Sequence, residues 1–183
     1  MVLLQSNPGE IGSSAIDFKL KGVDGKTYSL DTFASSNILV LIFMCNHCPY
    51  VKAVVERFVK LQSHFRDRSV QFVGISSNDV ESYPEDSFEN MKNFSKERNL
   101  NFPYLIDEYQ STAKNYDAVC TPDIYVYDIN RFLRYRGRLD DNWKEEDKVK
   151  SRDLESAIES ILNNNEITFE QIPSMGCSIK WKK

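Results

Sequence analysis

The sequence predicts a single α/β domain with a central mixed β-sheet flanked by helices. Three observations carry that prediction. Two apolar runs, Ile38 to Phe43 and Val70 to Ser76, read as strands buried on both faces of a sheet. Between them Val51, Val54, Val55, Phe58, Leu61 and Phe65 recur at helical period, so the segment is a β-α-β unit with parallel strands and a right-handed crossover. Farther on, residues 124–127 and 132–136 flank a turn at Asp128-Ile129-Asn130-Arg131, which makes an antiparallel pair and hence a mixed sheet.

The bulk properties agree. A chain of 183 residues can bury a substantial core as one domain, and no linker, repeat or low-complexity stretch divides residues 1–183. The apolar fraction of 41 % and charged fraction of 27 % are those of an ordinary globular protein. A net charge of -4 gives no reason to expect nucleic acid or an anionic membrane as partner. No run could span a bilayer, and the first ten residues carry neither a basic segment nor a signal-like apolar run, so the expectation is a cytoplasmic protein. In that compartment paired cysteines are catalytic or metal-binding more often than structural.

Taken in order, residues 17–20 and 27–30 flank Asp24-Gly25, a strong hairpin signal, and predict a small antiparallel ribbon ahead of the main sheet. The strand at Ile38 to Phe43 leads directly to Cys45 and Cys48, with the first helix running to about Phe65. After the strand at Val70 to Ser76, residues 87–98 read as a helix with Phe88, Met91 and Phe94 inward, opened by Asp86-x-x-Glu89 as a capping pattern. Residues 99–116 hold a short apolar piece at 103–106 and a short helical piece at 110–116. Residues 151–163 form the last helix, stopped by Asn163-Asn164-Asn165, and 166–183 is a C-terminal tail without period.

The chemistry sits at Cys45-x-x-Cys48. The spacing puts both sulfurs on one side of the first helical turn, within reach of a low-strain disulfide. The unpaired N–H groups and dipole at that helix start favour a thiolate. Two buried packing cysteines are the plainer reading, and coincidence of spacing with a strand-to-helix junction weighs against it. A four-thiolate zinc site from Cys45, Cys48, Cys120 and Cys177 is the sharper rival, although structural zinc sites usually show two close pairs and here Cys120 and Cys177 are isolated. His64 reads as a helix-face residue, and Arg136, Arg138, Asp140 and Asp141 as a solvated charged loop.

The runs Cys45-Asn-His-Cys-Pro-Tyr-Val51, Val119-Cys-Thr-Pro-Asp123, Tyr135-Arg-Gly-Arg-Leu-Asp-Asp-Asn-Trp143 and Pro173-Ser-Met-Gly-Cys-Ser-Ile-Lys-Trp181 resemble the thioredoxin-like superfamily, in its AhpC/TSA-redoxin, peroxiredoxin-like branch. The resemblance implies a thioredoxin fold with an N-terminal hairpin extension and an insert before a cis proline. By position that proline is Pro122, preceded by Thr121, facing the dithiol and presenting backbone for substrate pairing. It further implies thiol-disulfide oxidoreduction without metal or organic cofactor. Cys45, the more exposed thiolate, would attack a client disulfide and Cys48 would resolve the mixed disulfide. Partners would be protein or small-molecule disulfides and a thiol reductase. His47, placed as in the oxidising enzymes of this fold, either tunes the thiolate or is a solvated loop residue. A peroxiredoxin-like alternative makes Cys48 peroxidatic and Cys45 resolving, although Cys45 and Leu41 stand where that motif has threonine and proline. Cys120, two residues before Pro122, is expected near the site as a packing or third redox thiol; Cys177, in the tail, either folds back over the site or is an inert surface thiol, and it is not the one expected there.

Overall fold

The computed structural model describes residues 3–183; Met1 and Val2, which begin the run read as lacking a leader, lie outside them. In chain order the elements are β1 (Leu3–Gln5), β2 (Leu20–Gly22), β3 (Thr27–Tyr28), β4 (Ile38–Phe43), α1 (Pro49–Phe65), β5 (Val70–Ser76), α2 (Phe88–Glu97), β6 (Tyr104–Ile106), α3 (Ser111–Asn115), β7 (Cys120–Thr121), β8 (Asp123–Tyr127), β9 (Leu133–Arg136), α4 (Asp153–Leu162) and β10 (Met175–Ser178).

Seven strands form the main sheet in the order β3-β2-β6-β5-β4-β8-β9. The pairs β4/β5 and β5/β6 are parallel and the others antiparallel, so the mixed sheet of a thioredoxin fold is present. All six residues of β4 are buried because it lies between two neighbours and under layers on both faces. Alternation sends Val40 and Ile42 to the face packed by α1, α2 and α4, and Leu39, Leu41 and Phe43 to the opposite face with Ala113, Tyr116 and Tyr125. Each such side chain contributes roughly 1.5–3 kcal/mol of burial, so β4 is a firmly held platform for whatever follows it. Gln62, buried on α1, receives the Phe72 N–H at 2.7 Å and donates to the Val70 carbonyl at 3.0 Å, which ties the end of α1 to β5.

Several expectations are revised. The hairpin forms, with Gly25 at φ 84 in its turn, but β2 pairs with β6 and so extends the main sheet. The 103–106 piece is a parallel strand of that sheet rather than part of a loop insert. Ser87, not Asp86, caps α2, its hydroxyl receiving the Asn90 N–H at 3.4 Å; Asp86 is turned inward and fully buried. Of the charged loop only Asp141 is solvent-exposed: Arg136 pairs with Asp123 at 2.9 Å, Arg138 with Asp153 at 2.6 Å and Arg57 with Asp140 at 2.6 Å. The tail is ordered, and its strand β10 lies between β1 and β7 in a second, three-stranded sheet. No helix among the described residues is long and apolar enough to cross a membrane.

Candidate active site

Strand β4 ends at Phe43, and the loop Met44 to His47 carries the chain to Cys48, the N-cap of α1, with Pro49 at the first helical position. Proline is suited to that position because its missing N–H would have no partner there. Both sulfurs are buried, Cys45 at 1 % exposure and Cys48 at 0 %. Neither cysteine is open to solvent.

Opposite the pair stands Thr121-Pro122, joined by a cis peptide bond as expected. The Cys45 sulfur lies 3.5 Å from the Thr121 hydroxyl, and the Cys48 thiol donates to the Thr121 carbonyl at 3.2 Å. The two cysteines also interact with each other, and that interaction moves their pKa values in opposite directions. Contact with Cys45 first, and then with the Thr121 side chain, Cys177 and the Val51 N–H, outweighs burial and lowers the Cys48 pKa, so Cys48 is the more readily ionised of the two. Cys45 is pushed the other way by that same contact with Cys48, then by burial and by the nearby Asp86 carboxylate. The bond to the Thr121 carbonyl is made by the thiol form of Cys48 and is lost when that thiol ionises.

A second cluster holds the Cys45–Cys48 loop. Asp86 accepts the Asn46 N–H at 2.8 Å and the His47 N–H at 3.2 Å on one oxygen. On the other it meets His47 Nδ1 at 2.6 Å and accepts from the Asn78 amide at 2.7 Å. The bond to Asp86 raises the His47 pKa against burial, and the imidazole stacks on Tyr83 at 5.5 Å. Burial alone would raise Asp86, but the bonds from His47 and Asn78 hold it below the ordinary carboxylate range. His47 is thus not a solvated loop residue: its ring is held on Asp86, and a ring nitrogen lies within 4.8 Å of the Cys45 sulfur. Asn46 is fixed further by the Tyr104 hydroxyl, which donates to it at 3.0 Å.

Cys120 lies close to the pair, as expected, but burial raises its pKa first and Asp123 adds to that, so its thiol stays protonated. The expectation for Cys177 is overturned: β10 pairs antiparallel with β7, setting Cys177 opposite Thr121, and its buried thiol donates to Cys48. The backbone edge beside Pro122 is correspondingly not open to a substrate, because the chain's own strand occupies it. Beyond Pro122 a cleft of about 240 Å³ opens between Tyr50, Val54, Trp143 and Met175, with Tyr50 and Trp143 in ring contact at 4.3 Å.

The four sulfurs do not converge on one centre. Among the described residues the group able to offer three metal ligands is Cys45, His47 and Asp86, whose ligand atoms lie within 4.8 Å of one another. Both Asp86 oxygens already accept two hydrogen bonds each, so a metal there would have to strip a satisfied carboxylate. Asp86 and Asn78 are the site residues that sequence reasoning passed over, whereas Cys177 was weighed and placed away from the site. A capping pattern supplied a sufficient local account of Asp86, and nothing near Asn78 marks it.

Comparison with known proteins fits this geometry. A profile of the AhpC/TSA family matches residues 11–136. The chain is 42 % identical to an uncharacterized conserved protein of Geobacillus kaustophilus of known structure, with a TM-score of 0.94 over 100 % of this chain and 97 % of that one. A hypothetical protein of Sinorhizobium meliloti 1021 superposes with a TM-score of 0.93 at 37 % identity, covering 97 % of this chain and 98 % of that one. Mitochondrial peroxiredoxin PRX1 of Saccharomyces cerevisiae is 30 % identical over 109 residues, 60 % of this chain but 41 % of the yeast protein, so the match spans less than half of that relative's length. Its sequence match, its mixed sheet and the cysteine pair at the start of α1 opposite a cis proline establish that the chain belongs to the AhpC/TSA family, in the thioredoxin-like superfamily.

Proposed function

We propose that this protein is a thiol-disulfide oxidoreductase whose reducing equivalents are held by Cys45 and Cys48. The observation that carries the reading is the placement of the two cysteines ahead of α1 opposite the cis Thr121-Pro122 bond, with the Cys45 sulfur 3.5 Å from the Thr121 hydroxyl and the Cys48 thiol 3.2 Å from the Thr121 carbonyl. The order of roles is the reverse of the one the resemblance implies. Cys48, the thiolate, attacks one sulfur of a client disulfide and expels the other as a thiolate. Cys45 then attacks Cys48 of the mixed disulfide; its proton goes to the departing thiolate, and the protein is left with a Cys45–Cys48 disulfide. A thiol reductase returns it to the dithiol. The electrons reside in the two sulfurs, so the cycle needs no organic cofactor.

A second reading has its own support. Cys48 is a fully buried thiolate, and a small peroxide reaches such a sulfur more easily than a peptide does. In that chemistry Cys48 takes the distal peroxide oxygen to become a sulfenic acid while the alcohol or water leaves, and Cys45 condenses with it, releasing water. Against it, Cys45 and Leu41 replace the threonine and proline of the peroxidatic motif.

The test is the rate at which the reduced protein is oxidised by hydrogen peroxide and by oxidised glutathione, with Cys45→Ser and Cys48→Ser alongside. Oxidation by peroxide no faster than for an ordinary thiolate, with disulfide exchange lost in Cys48→Ser, supports the oxidoreductase. A peroxide rate far above that, lost in Cys48→Ser and ending as a sulfenic acid in Cys45→Ser, establishes the peroxidase instead.

A further inference from the structure

The C-terminal strand is built into the site in a way the two-cysteine cycle does not use. Cys177 stands in register with Thr121 and Ser178 with Cys120, so β10 takes the backbone edge next to Pro122 that an extended peptide would need. Its approach is close: a Cβ on Gly176 would fall 1.9 Å from the Thr121 carbonyl, the same oxygen that Cys48 meets at 3.2 Å. Only glycine fits there. The strand is anchored beyond both ends, by the Ser6 N–H to the Ser174 carbonyl at 2.9 Å and the Asp79 N–H to the Lys180 carbonyl at 2.8 Å. This arrangement sets Cys177 opposite Thr121, whose carbonyl meets Cys48 at 3.2 Å, and puts the Cys177 and Cys48 side chains in interaction.

We infer that Cys177 is a third redox thiol of this site: β10 is a tethered pseudo-substrate that occupies the client's strand position and exchanges with Cys48 to form a Cys48–Cys177 disulfide. The inference rests on the dithiol reading above. Starting from the Cys45–Cys48 disulfide, Cys177 as thiolate attacks the Cys48 sulfur. The Cys48–Cys177 bond forms, the Cys45–Cys48 bond breaks, and Cys45 leaves as a thiolate that takes up the proton Cys177 has lost. No electrons enter or leave, so the step needs only the disulfide that turnover supplies. A client thiol or disulfide therefore competes with β10 for Cys48, and the oxidised strand holds the site closed.

The experiment equilibrates full-length protein with oxidised glutathione, quenches with acid, alkylates and digests with trypsin. Cys45 and Cys48 then fall in the peptide 27–52, Cys177 in 153–180 and Cys120 in 115–131. The inference expects 27–52 linked to 153–180 in the parent and more strongly in Cys45→Ser, where Cys177 displaces glutathione from Cys48. The link is lost in Cys48→Ser and Cys177→Ser, and falls at least tenfold in Gly176→Ala, which keeps every sulfur but cannot seat β10. Cys45→Ser carrying glutathione on Cys48 with no link overturns the inference, as does equal linking in Gly176→Ala. If 27–52 in Cys177→Ser still loses two hydrogens, the dithiol reading survives that failure; if it does not, that reading fails on its own.

Discussion

Replacing Asp86 with asparagine tests whether the buried carboxylate holds the active-site loop. Asparagine can still accept the Asn46 and His47 N–H groups on its carbonyl oxygen. Its amide end, however, faces the Asn78 amide donor and His47 Nδ1, which lie 2.7 and 2.6 Å from the carboxylate oxygen they now share. Two hydrogen bonds to a charged acceptor are lost, each worth about 1.5–3 kcal/mol, offset in part by relief from burying a charge. The net expectation is about 2–4 kcal/mol of destabilisation, which for a domain of this size lowers Tm by roughly 5–15 °C.

The loss also has a pH signature. His47 has a raised pKa in the folded protein, so its contribution is complete below the unfolded histidine value of about 6.5 and fades as pH rises through the folded one. Asp86 has a lowered pKa, so its contribution is complete above the unfolded aspartate value of about 3.9 and fades as pH falls through the folded one. Thermal unfolding of parent and Asp86→Asn across this range should show the widest gap between about pH 4.5 and 6.5, narrowing on both sides. Equal Tm values at every pH would refute the assignment of Asp86 as the clamp of the loop.

Two further outcomes follow from buried charge. Cys45→Ala removes a thiol donor from Cys48, and one charge-assisted hydrogen bond is equivalent to about 1–2 pKa units, so thiolate absorbance should titrate that much higher than in the parent. Arg136→Met leaves Asp123 buried without its partner at 2.9 Å and should destabilise by about 3–5 kcal/mol at pH 8. Burial already raises Asp123 to about 6, so denaturant unfolding should show a smaller loss at pH 5, where the carboxyl takes up a proton.

The parts of the fold legible in the sequence are those where local pattern and tertiary role coincide. β4 and β5 match the runs read from the chain because both are buried on two faces, and Pro122 is cis where its position relative to the cysteines implied. Asp86 was hidden because a local cap explains an aspartate before a helix, while its actual partners lie some forty residues upstream at Asn46 and His47. The tail hid its role for a related reason. Residues 166–183 carry no period because β10 is only four residues long and its pairing partners, β1 and β7, are distant in the chain. The charged loop misled through composition: Arg136, Arg138 and Asp140 are charged yet paired with partners on β8, α4 and α1.

The central claim is that Cys45 and Cys48 act as one two-electron couple, and it is tested most directly in Cys177→Ser, where the third thiol cannot intervene. The protein is equilibrated in a series of glutathione redox buffers, acid-quenched and alkylated, and the mass of peptide 27–52 is followed. The account predicts a single two-electron transition in which that peptide changes from doubly alkylated to an internal disulfide, at one reduction potential. A peptide that stays doubly alkylated throughout, or that carries glutathione or oxygen on Cys48 while Cys45 remains a thiol, would contradict it.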